Sequence, residues 1–429
     1  MTKLWQKDNI RLHPLIEKYT VGDDYLLDAA LMPYDILGTR AHVLGLKKIG
    51  LLKTVESARV IKALDNLKKD WSAGKITIKI TDEDCHTVIE NYLTEKLPSV
   101  GPKIHIGRSR NDQVLTALRL YMKDKLNIIK KEVRLTAALL LKQARKYQSV
   151  PLPGYSHGQQ AMLSSVGHYY SAYAEALMDD AEFCGAILNQ IDKSPLGSAA
   201  GFGVALPLDR KFTAKELGFK NIQINSLYCQ NSRGKFDSLY LEALTQIMLT
   251  LGRFANDMIL FASQEFNYFS LPKNLTTGSS IMPQKNNPDG LEIMRGYVNI
   301  VIANQLAVKE NSKNPLSGYN RDSQLNKKPL LESVDIVLTS LPVVRLYLQN
   351  IRPNQKIIES KISPGIFAAD IANELVKTKK IPFRQAYQLA LSQIANYQIN
   401  PAKNLASKIS LGAPGNLDLT GYKKRLAKN

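Results

Sequence analysis

The most constraining feature of the sequence is a helical pattern that runs without proline or glycine from Asn111 to about Tyr147. Apolar residues recur in it at steps of three and four, as on one face of an α-helix. Strand signals elsewhere are few. Comparable long helical segments occupy 159–191, 236–268, 287–311 and 326–347. Because helices of this length do not fit a small mixed domain, the sequence predicts an all-α fold built around an elongated bundle of long helices.

Shorter helical patterns flank the long segments. They cover 33–48, 54–73 and 83–97 on one side, and lie near 365–379 and 383–397 on the other. The chain has 429 residues, which is enough for two or three domains. We predict an N-terminal helical domain (1–110), a central long-helix bundle (111–353) and a small C-terminal helical domain (354–429).

Several long helices carry apolar residues on more than one face, as in the stretches LTAALLL and EALTQIMLTLGRFA. A single bundle of five helices would leave such faces in water. Packing of one bundle on another would cover them, so the pattern predicts an oligomer.

The cysteines and histidines indicate which cellular compartment the protein occupies and whether it has a zinc site. The three cysteines are widely spread and form no C-x-x-C pair, which is typical of a reducing compartment such as the cytoplasm. The six histidines show no zinc-binding spacing. The N-terminal residues lack the apolar core of a signal peptide. The apolar stretch from Leu241 to Phe261 contains Arg253 and Asp257, so it predicts a buried helix rather than a membrane span.

The net charge of +19 has three interpretations. It fits a lysine-rich proteome, a positive field that attracts a small acidic substrate, or nucleic-acid binding. Nucleic-acid binding predicts basic residues massed on one element, but the lysines are scattered along the chain. We therefore expect no nucleic-acid partner.

The unusual residues lie in the connections between the long helices, where sites are commonly built. One connection holds Arg108-Ser109-Arg110-Asn111-Asp112 at the start of the first long helix. Asn111 or Asp112 suits a helix N-cap. Cations oppose the macrodipole at that end, so the two guanidiniums favour a bound carboxylate or phosphate.

Two histidines lie in similar places. His157 follows PLPGYS at the predicted start of the next long helix, and a lone histidine there is more often structural than catalytic. Ser156 beside it suits an N-cap. His86 lies one turn into a predicted helix with acidic neighbours, where it could be charged and solvated.

The loop TTGSSIMPQKNNPD (276–289) is neither a Walker A motif nor a known serine-nucleophile motif. Its plainest interpretation is a Ser/Gly linker with a chance lysine, but Pro283 and Pro288 stiffen it. Ser279, Lys285 and Asn287 together supply a nucleophile or base, a point charge and an amide donor. That set suits proton abstraction and the stabilisation of an oxyanion.

These segments resemble those of the fumarase/aspartase superfamily. GSSIMPQKNNPD is similar to its signature loop, while GRSRNDQV, PGYSHGQ and YNRDSQLNKKP resemble its argininosuccinate lyase branch. SPLGSAAGFG and FAADIANELVKTKKIPFRQAY also match, so the resemblance extends from about Tyr34 to Tyr387. It is specific because four motifs occur in the same order.

The resemblance implies an all-α, three-domain fold whose central helices assemble into a core of about 20 helices in a homotetramer. It implies active sites shared among three subunits, so that a monomer is inactive. It also implies cleavage of argininosuccinate to arginine and fumarate, the last step of arginine biosynthesis. The reaction is an anti elimination through an aci-carboxylate intermediate, with no metal or organic cofactor.

The resemblance also assigns roles to residues. Ser279 is implied as the base, with Lys285 and Asn287 stabilising the charge that develops on the carboxylate. His157, with Glu292 as its carboxylate partner, acts at the leaving nitrogen. The implied substrate-binding positions are Arg110, Asn111, Ser156, Tyr319, Gln324, Lys327 and His86.

Four departures from the family pattern stand out. Asn286 replaces a common lysine, and Ser156 replaces threonine. NSRGKFD differs from S-x-R-D-F, which weakens the transfer of a role to Arg233. Asp24 lies close to a position where many relatives carry a serine near the substrate. Two further hypotheses remain: another fumarate-releasing lyase of the adenylosuccinate lyase or aspartase kind, and a non-catalytic structural protein on the same fold.

Overall fold

The computed structural model describes residues 12–394, 397–398 and 400–428. The all-α prediction is confirmed in this part of the chain. The helices are α1 (Pro14–Val21), α2 (Asp24–Leu27), α3 (Met32–Lys48), α4 (Thr54–Ser72), α5 (Cys85–Lys96), α6 (Arg110–Lys146), α7 (Val166–Ile191), α8 (Arg210–Glu216), α9 (Ser226–Asn231), α10 (Lys235–Phe261), α11 (Asp289–Ser312), α12 (Lys327–Asn350), α13 (Gln355–Ser360), α14 (Ala368–Lys379), α15 (Phe383–Gln393), α16 (Pro401–Ser407) and α17 (Leu419–Lys428). The strands are β1 (Pro151–Ser156), β2 (Gln159–Ser165), β3 (Lys193–Ser194), β4 (Asn221–Ile222), β5 (Phe269–Ser270) and β6 (Arg352–Pro353).

The five predicted long helices correspond to α6, α7, α10, α11 and α12, and α6 is the longest with 37 residues. Its N-terminus is capped by Ser109 rather than by the predicted Asn111 or Asp112. The Ser109 hydroxyl accepts the Asn111 N–H at 3.2 Å, and the Asp112 carboxylate accepts the Ser109 N–H at 3.0 Å. This reciprocal arrangement satisfies backbone donors that the first helical turn leaves free.

The prediction of a helix from residue 159 is wrong for 159–165. That segment forms β2, which pairs antiparallel with β1. The turn between them consists of His157 (φ 53°) and Gly158 (φ 73°), and both lie in the left-handed region. Two left-handed residues are what a two-residue hairpin turn requires. His157 and Ser156 therefore lie at a hairpin tip and not at a helix start.

The chain divides into two compact units. Unit 1 comprises Met1–Ile128, Cys184–Leu244 and Val301–Asp335, of which residues 1–11 lie outside the described part. Unit 2 comprises Ile129–Phe183, Thr245–Ile300 and Ile336–Asn429. Within unit 2, Phe367 and Ile371 centre an apolar cluster of the C-terminal helices.

The last predicted helix, the N-terminal stretch and the apolar stretch of α10 compare with the structure as follows. The predicted helix 383–397 is α15 up to Gln393, and residues 395–396 lie outside the described part. The N-terminal stretch that lacks a signal-peptide core falls largely on residues 1–11, which also lie outside the described part. No helix of the described residues is both long and apolar enough to span a membrane. Leu241 and Leu244 in α10 are fully buried, as expected for a core helix.

Candidate active site

Unit 1 contains a cavity of about 160 Å³ that is lined by residues distant in sequence. The segments before α3, before α5, at the start of α6 and at the start of α12 all contribute to its wall. Six of the seven predicted substrate-binding residues line it: His86, Arg110, Asn111, Tyr319, Gln324 and Lys327. The seventh, Ser156, belongs to unit 2.

Lys327 is held by two carboxylates at the wall of this cavity. Its Nζ lies 2.6 Å from Asp28 Oδ1 and 2.9 Å from Asp24 Oδ2. Burial by itself lowers the pKa of Lys327, but the two carboxylates outweigh burial and raise it. Lys327 is therefore a permanent cation that is already paired.

His86 is buried, so the expectation of a solvated side chain is wrong. Its Nδ1 lies 2.7 Å from Asp35 Oδ2, and both side chains are almost wholly shielded from solvent. Burial opposes a charge on the imidazole, but Asp35 outweighs burial and raises the pKa of His86. The first turn of α5 thus holds an imidazolium–carboxylate pair.

Arg108 shares the same carboxylate. Its guanidinium is buried, lies 3.5 Å from Asp35 and donates to Thr39 Oγ1 at 3.0 Å. The prediction that both guanidiniums of the RSRND segment face an anion is therefore wrong for Arg108. Arg110 lines the cavity and donates to Asp84 and Glu83.

We expect Asp35→Asn to lower the free energy of unfolding by about 3–5 kcal/mol, because it leaves two buried cations without their carboxylate. Asp65→Asn is the matched control, since Asp65 forms an exposed pair with Arg40 and its loss should cost less than about 1 kcal/mol. Denaturant unfolding of both variants measures the difference. Equal effects of the two substitutions would show that the Asp35 pair is not a stabilising element.

The contribution of this pair also depends on pH. Because the folded-state pKa of His86 is raised above its ordinary value of 6.5, the stabilisation is complete below that value. It is lost as pH rises through the raised pKa of His86. The gap in stability between the wild-type protein and Asp35→Asn should therefore narrow as pH increases.

Two further predicted residues are held by neighbours of the cavity. The Gln324 amide donates to the carbonyls of Thr20 (2.9 Å) and Val21 (3.2 Å). Arg233 donates to the Asn111 carbonyl, and its guanidinium lies 4.9 Å from the centroid of the Tyr319 ring. Arg233 lines the cavity although NSRGKFD departs from the family motif.

Sequence reasoning did not single out Glu83 and Asp84, which line the cavity, or Asp28, which lies behind Lys327. Glu83 and Asp84 precede His86 in TDEDCH, and this acidic run was the available signal. Glu83 adopts a left-handed conformation (φ 69°), which costs energy for a non-glycine residue and marks a constrained segment. Asp28 carried no local signal, because its partner Lys327 is 299 residues away in sequence.

Asp28, Cys85 and His86 are, among the described residues, the cluster with ligand atoms close enough to share a metal ion. These atoms are engaged in other ways. The Lys327 ammonium lies on Asp28, and Asp35 lies on His86 Nδ1. Burial raises the pKa of the Cys85 thiol, which keeps it protonated and a poor ligand. The set is therefore unsuited to a cation.

Unit 2 carries the predicted catalytic loop. Thr277 and Asn287 exchange backbone hydrogen bonds of 3.0 and 2.8 Å, which close the base of the loop. Inside it, Ser279 Oγ accepts the N–H groups of Ile281 (3.3 Å) and Met282 (3.1 Å). Lys285 is exposed. Ser279 is thus held by backbone N–H groups, while Lys285 has no ion-pair partner among the described residues of one chain.

The other predicted catalytic residues also belong to unit 2. His157 lies at the tip of the β1–β2 hairpin and Glu292 lies in the first turn of α11. Both side chains are exposed. Within the described part of a single chain, no hydrogen bond or ion pair joins them. Asn287 donates from its amide to the Gly278 carbonyl at 3.4 Å.

Sequence comparison identifies the family of the chain. The family model of the lyases matches residues 14–303. Argininosuccinate lyase of Thermotoga neapolitana is 43% identical over 387 residues, which are 90% of this chain and 97% of that protein. Argininosuccinate lyase of Sorangium cellulosum is 39% identical over 428 residues, which cover 100% of this chain and 99% of that protein.

Solved structures agree on the fold. EDDS lyase in complex with formate superposes with a TM-score of 0.81 at 21% identity, covering 98% of this chain and 91% of that chain. A class II fumarase from Schistosoma mansoni gives a TM-score of 0.74 at 17% identity, covering 96% and 91%. The structures show the fold, and the sequence relatives, which are about 40% identical, also show the family. The chain therefore belongs to the argininosuccinate lyase family, within the fumarase/aspartase superfamily of lyases.

Proposed function

We propose that the protein cleaves argininosuccinate to arginine and fumarate, the step that releases arginine in its biosynthesis. The observation that carries the proposal is the meeting of six implied binding residues, from three separate segments, at one cavity. Relatives named argininosuccinate lyase, matching nearly the whole chain, support the same substrate.

The proposed reaction is an elimination in two steps. A base removes a proton from the carbon next to a carboxylate, and the electron pair left behind forms an aci-carboxylate dianion. That pair then forms the carbon–carbon double bond of fumarate as the C–N bond breaks. The leaving guanidino nitrogen takes up a proton and departs as arginine.

Ser279 is the proposed base. Its oxygen accepts two backbone N–H groups, and such donors favour negative charge on an oxygen. A serine also needs a nearby cation to ionise, and Lys285 on the same loop supplies one. Lys285 and Asn287 then stabilise the dianion, where preorganised donors contribute about 3–4 kcal/mol each. His157, oriented by Glu292, protonates the leaving nitrogen.

Substrate binding is proposed for the cavity residues and for Ser156. Lys327 and Arg110 are cations already paired with carboxylates, so the substrate's own carboxylates are left to Arg233 and Arg321, which also line the cavity. Asn111, Tyr319 and Gln324 offer neutral hydrogen-bonding groups, and Ser156 keeps the hydroxyl of the threonine it replaces. No metal or organic cofactor enters the proposed mechanism.

We further propose that the active protein is a cytoplasmic homotetramer with three-domain subunits (1–110, 111–353 and 354–429). Exposed apolar residues on the long helices support an oligomer. Leu249 and Leu260 on α10 and Ile293 on α11 are 43%, 50% and 57% exposed, which is costly for side chains of this size. The proposal also explains why His157 and Glu292 have no mutual contact within one chain.

Shared active sites predict a specific result when inactive variants are mixed. Ser279→Ala and His157→Asn should each be inactive alone. Tetramers assembled from equal amounts of both should regain about one quarter of wild-type activity, since each site draws the two residues from different subunits. The measurement is fumarate release after co-assembly.

The matched control mixes Ser279→Ala with Lys285→Met. Both lesions lie on the same loop of the same chain, so every site contains one of them and no activity should return. If the mixture of Ser279→Ala and His157→Asn is also inactive, one chain supplies both Ser279 and His157 to a site. That result contradicts the shared-site proposal.

A further inference from the structure

Asp24 is a carboxylate of the cavity wall that departs from the family pattern. Its Oδ2 lies 2.9 Å from Lys327 Nζ. Asp28, which binds the same ammonium at 2.6 Å, is fully buried and does not line the cavity, whereas the Asp24 side chain remains 15% exposed and does. Of the two carboxylates on Lys327, Asp24 is therefore the one that a bound molecule can reach.

The charges around Asp24 do not balance. One ammonium faces two carboxylates, which leaves a net negative charge at this end of the cavity. The other cation in reach of the acidic wall, Arg110, is engaged by Glu83 and Asp84. Among the described residues, Lys327 is the only cation within ion-pair distance of Asp24. Burial raises the pKa of Asp24 to about 6 although Lys327 lowers it, and the nearby carboxylates Asp28 and Asp84 raise it further.

The cavity also offers positive groups that lack a carboxylate partner. Arg321 donates to Gln324 Oε1 (3.1 Å) and to the Thr20 carbonyl (2.9 Å), and Arg233 donates to neutral oxygens. Neither has a carboxylate within ion-pair distance in the described part of the chain. The cavity lining thus combines an undercompensated carboxylate, Asp24, with two guanidiniums that can bind an anion. This combination matches an α-amino acid, which carries an ammonium and a carboxylate on one carbon.

We propose that Asp24 binds the α-ammonium group of the arginine half of the substrate and so determines specificity for an amino acid there. The inference rests on the proposed function. The substrate's other cation, the guanidinium, carries the bond that breaks, so it belongs with the base and the oxyanion donors. The ammonium lies at the far end of the arginine chain and is the cation left for Asp24.

The test uses the reverse reaction, in which arginine and fumarate combine. The probe is 5-guanidinopentanoate, which is arginine without its ammonium group. Asp24→Asn removes the charge while its amide oxygen can still accept the Lys327 ammonium. We expect it to raise the KM for arginine about 10- to 100-fold, as for the loss of a charged hydrogen bond. The KM for 5-guanidinopentanoate and the KM for fumarate should stay at their wild-type values.

Asp23→Asn is the matched control. Asp23 is the neighbouring aspartate, pairs with Lys328 at 2.9 Å on the exposed surface and does not line the cavity. It should leave all three KM values unchanged. If Asp24→Asn fails to fold, Asp24→Ser tests the same charge with a smaller side chain. The wild-type protein alone also provides a test, since equal KM values for arginine and 5-guanidinopentanoate would overturn the proposal.

Two other results would contradict the inference. An equal rise in KM for arginine and its analogue would mean that Asp24 acts only by positioning Lys327. An unchanged KM for arginine would remove Asp24 from recognition. If instead the wild-type protein fails to join arginine to fumarate, the proposed function itself fails, and this outcome is distinct from the other two.

Discussion

Ser279→Ala should reduce turnover of argininosuccinate by at least about 10³-fold while the protein stays folded, because it removes the base but little of the structure. The hydroxyl is half-buried in a surface loop and accepts two backbone N–H groups. Water can replace it as their acceptor, so the free energy of unfolding should change by less than about 1 kcal/mol. Steady-state kinetics and thermal unfolding measure the two effects.

Ser280→Ala is the control for this substitution. Ser280 is the adjacent residue of the same loop, has the same chemistry and is exposed. It should keep near wild-type activity. If the two variants have similar kinetics, or if Ser280→Ala is the inactive one, the base is not Ser279.

The second large effect concerns Lys285. Lys285→Met should lower kcat about 10²- to 10³-fold, the usual cost of removing one preorganised donor from a developing oxyanion. KM should change much less, since the charge that Lys285 stabilises is greater in the transition state than in the substrate. The exposed side chain makes little contribution to folding, so the unfolding midpoint should be unaffected.

Lys273→Met serves as the comparison for Lys285→Met. Lys273 is an exposed lysine just before the loop, and its loss should leave kcat unchanged. A rise in KM with kcat unchanged for Lys285→Met would assign Lys285 to substrate binding instead. Asn286, which replaces a lysine common in the family, makes its hydrogen bond within the same loop: its amide donates to the Gln284 carbonyl.

The long helices were predictable because their amphipathic patterns persist over many turns, which few other structures produce. The hairpin at 151–165 was not. Its strands are short, and the only local signal is the pair His157-Gly158 at its turn, which acts through backbone conformation rather than polarity. The apolar spacing that begins at α7 extended the helix prediction backwards across β2.

The candidate site also has a part that the sequence predicts and a part that it does not. The resemblance identified residues that line one cavity, because the motifs preserve the segments that meet there. Their ionic partners could not be predicted, since pairs such as Asp35–His86 and Asp28–Lys327 are 51 and 299 residues apart. His86 and Arg108 can be buried because both pair with the Asp35 carboxylate. Solvation was the natural expectation from local sequence, and tertiary packing overrides it.

The most direct test of the central claim is to add argininosuccinate to the purified protein and follow the ultraviolet absorbance of fumarate, with arginine quantified in parallel. We predict equimolar fumarate and arginine from the wild-type protein and almost none from Ser279→Ala. If no fumarate forms from argininosuccinate but the protein turns over adenylosuccinate, aspartate or malate, the proposal is contradicted. The protein then acts on a different substrate with the same fold.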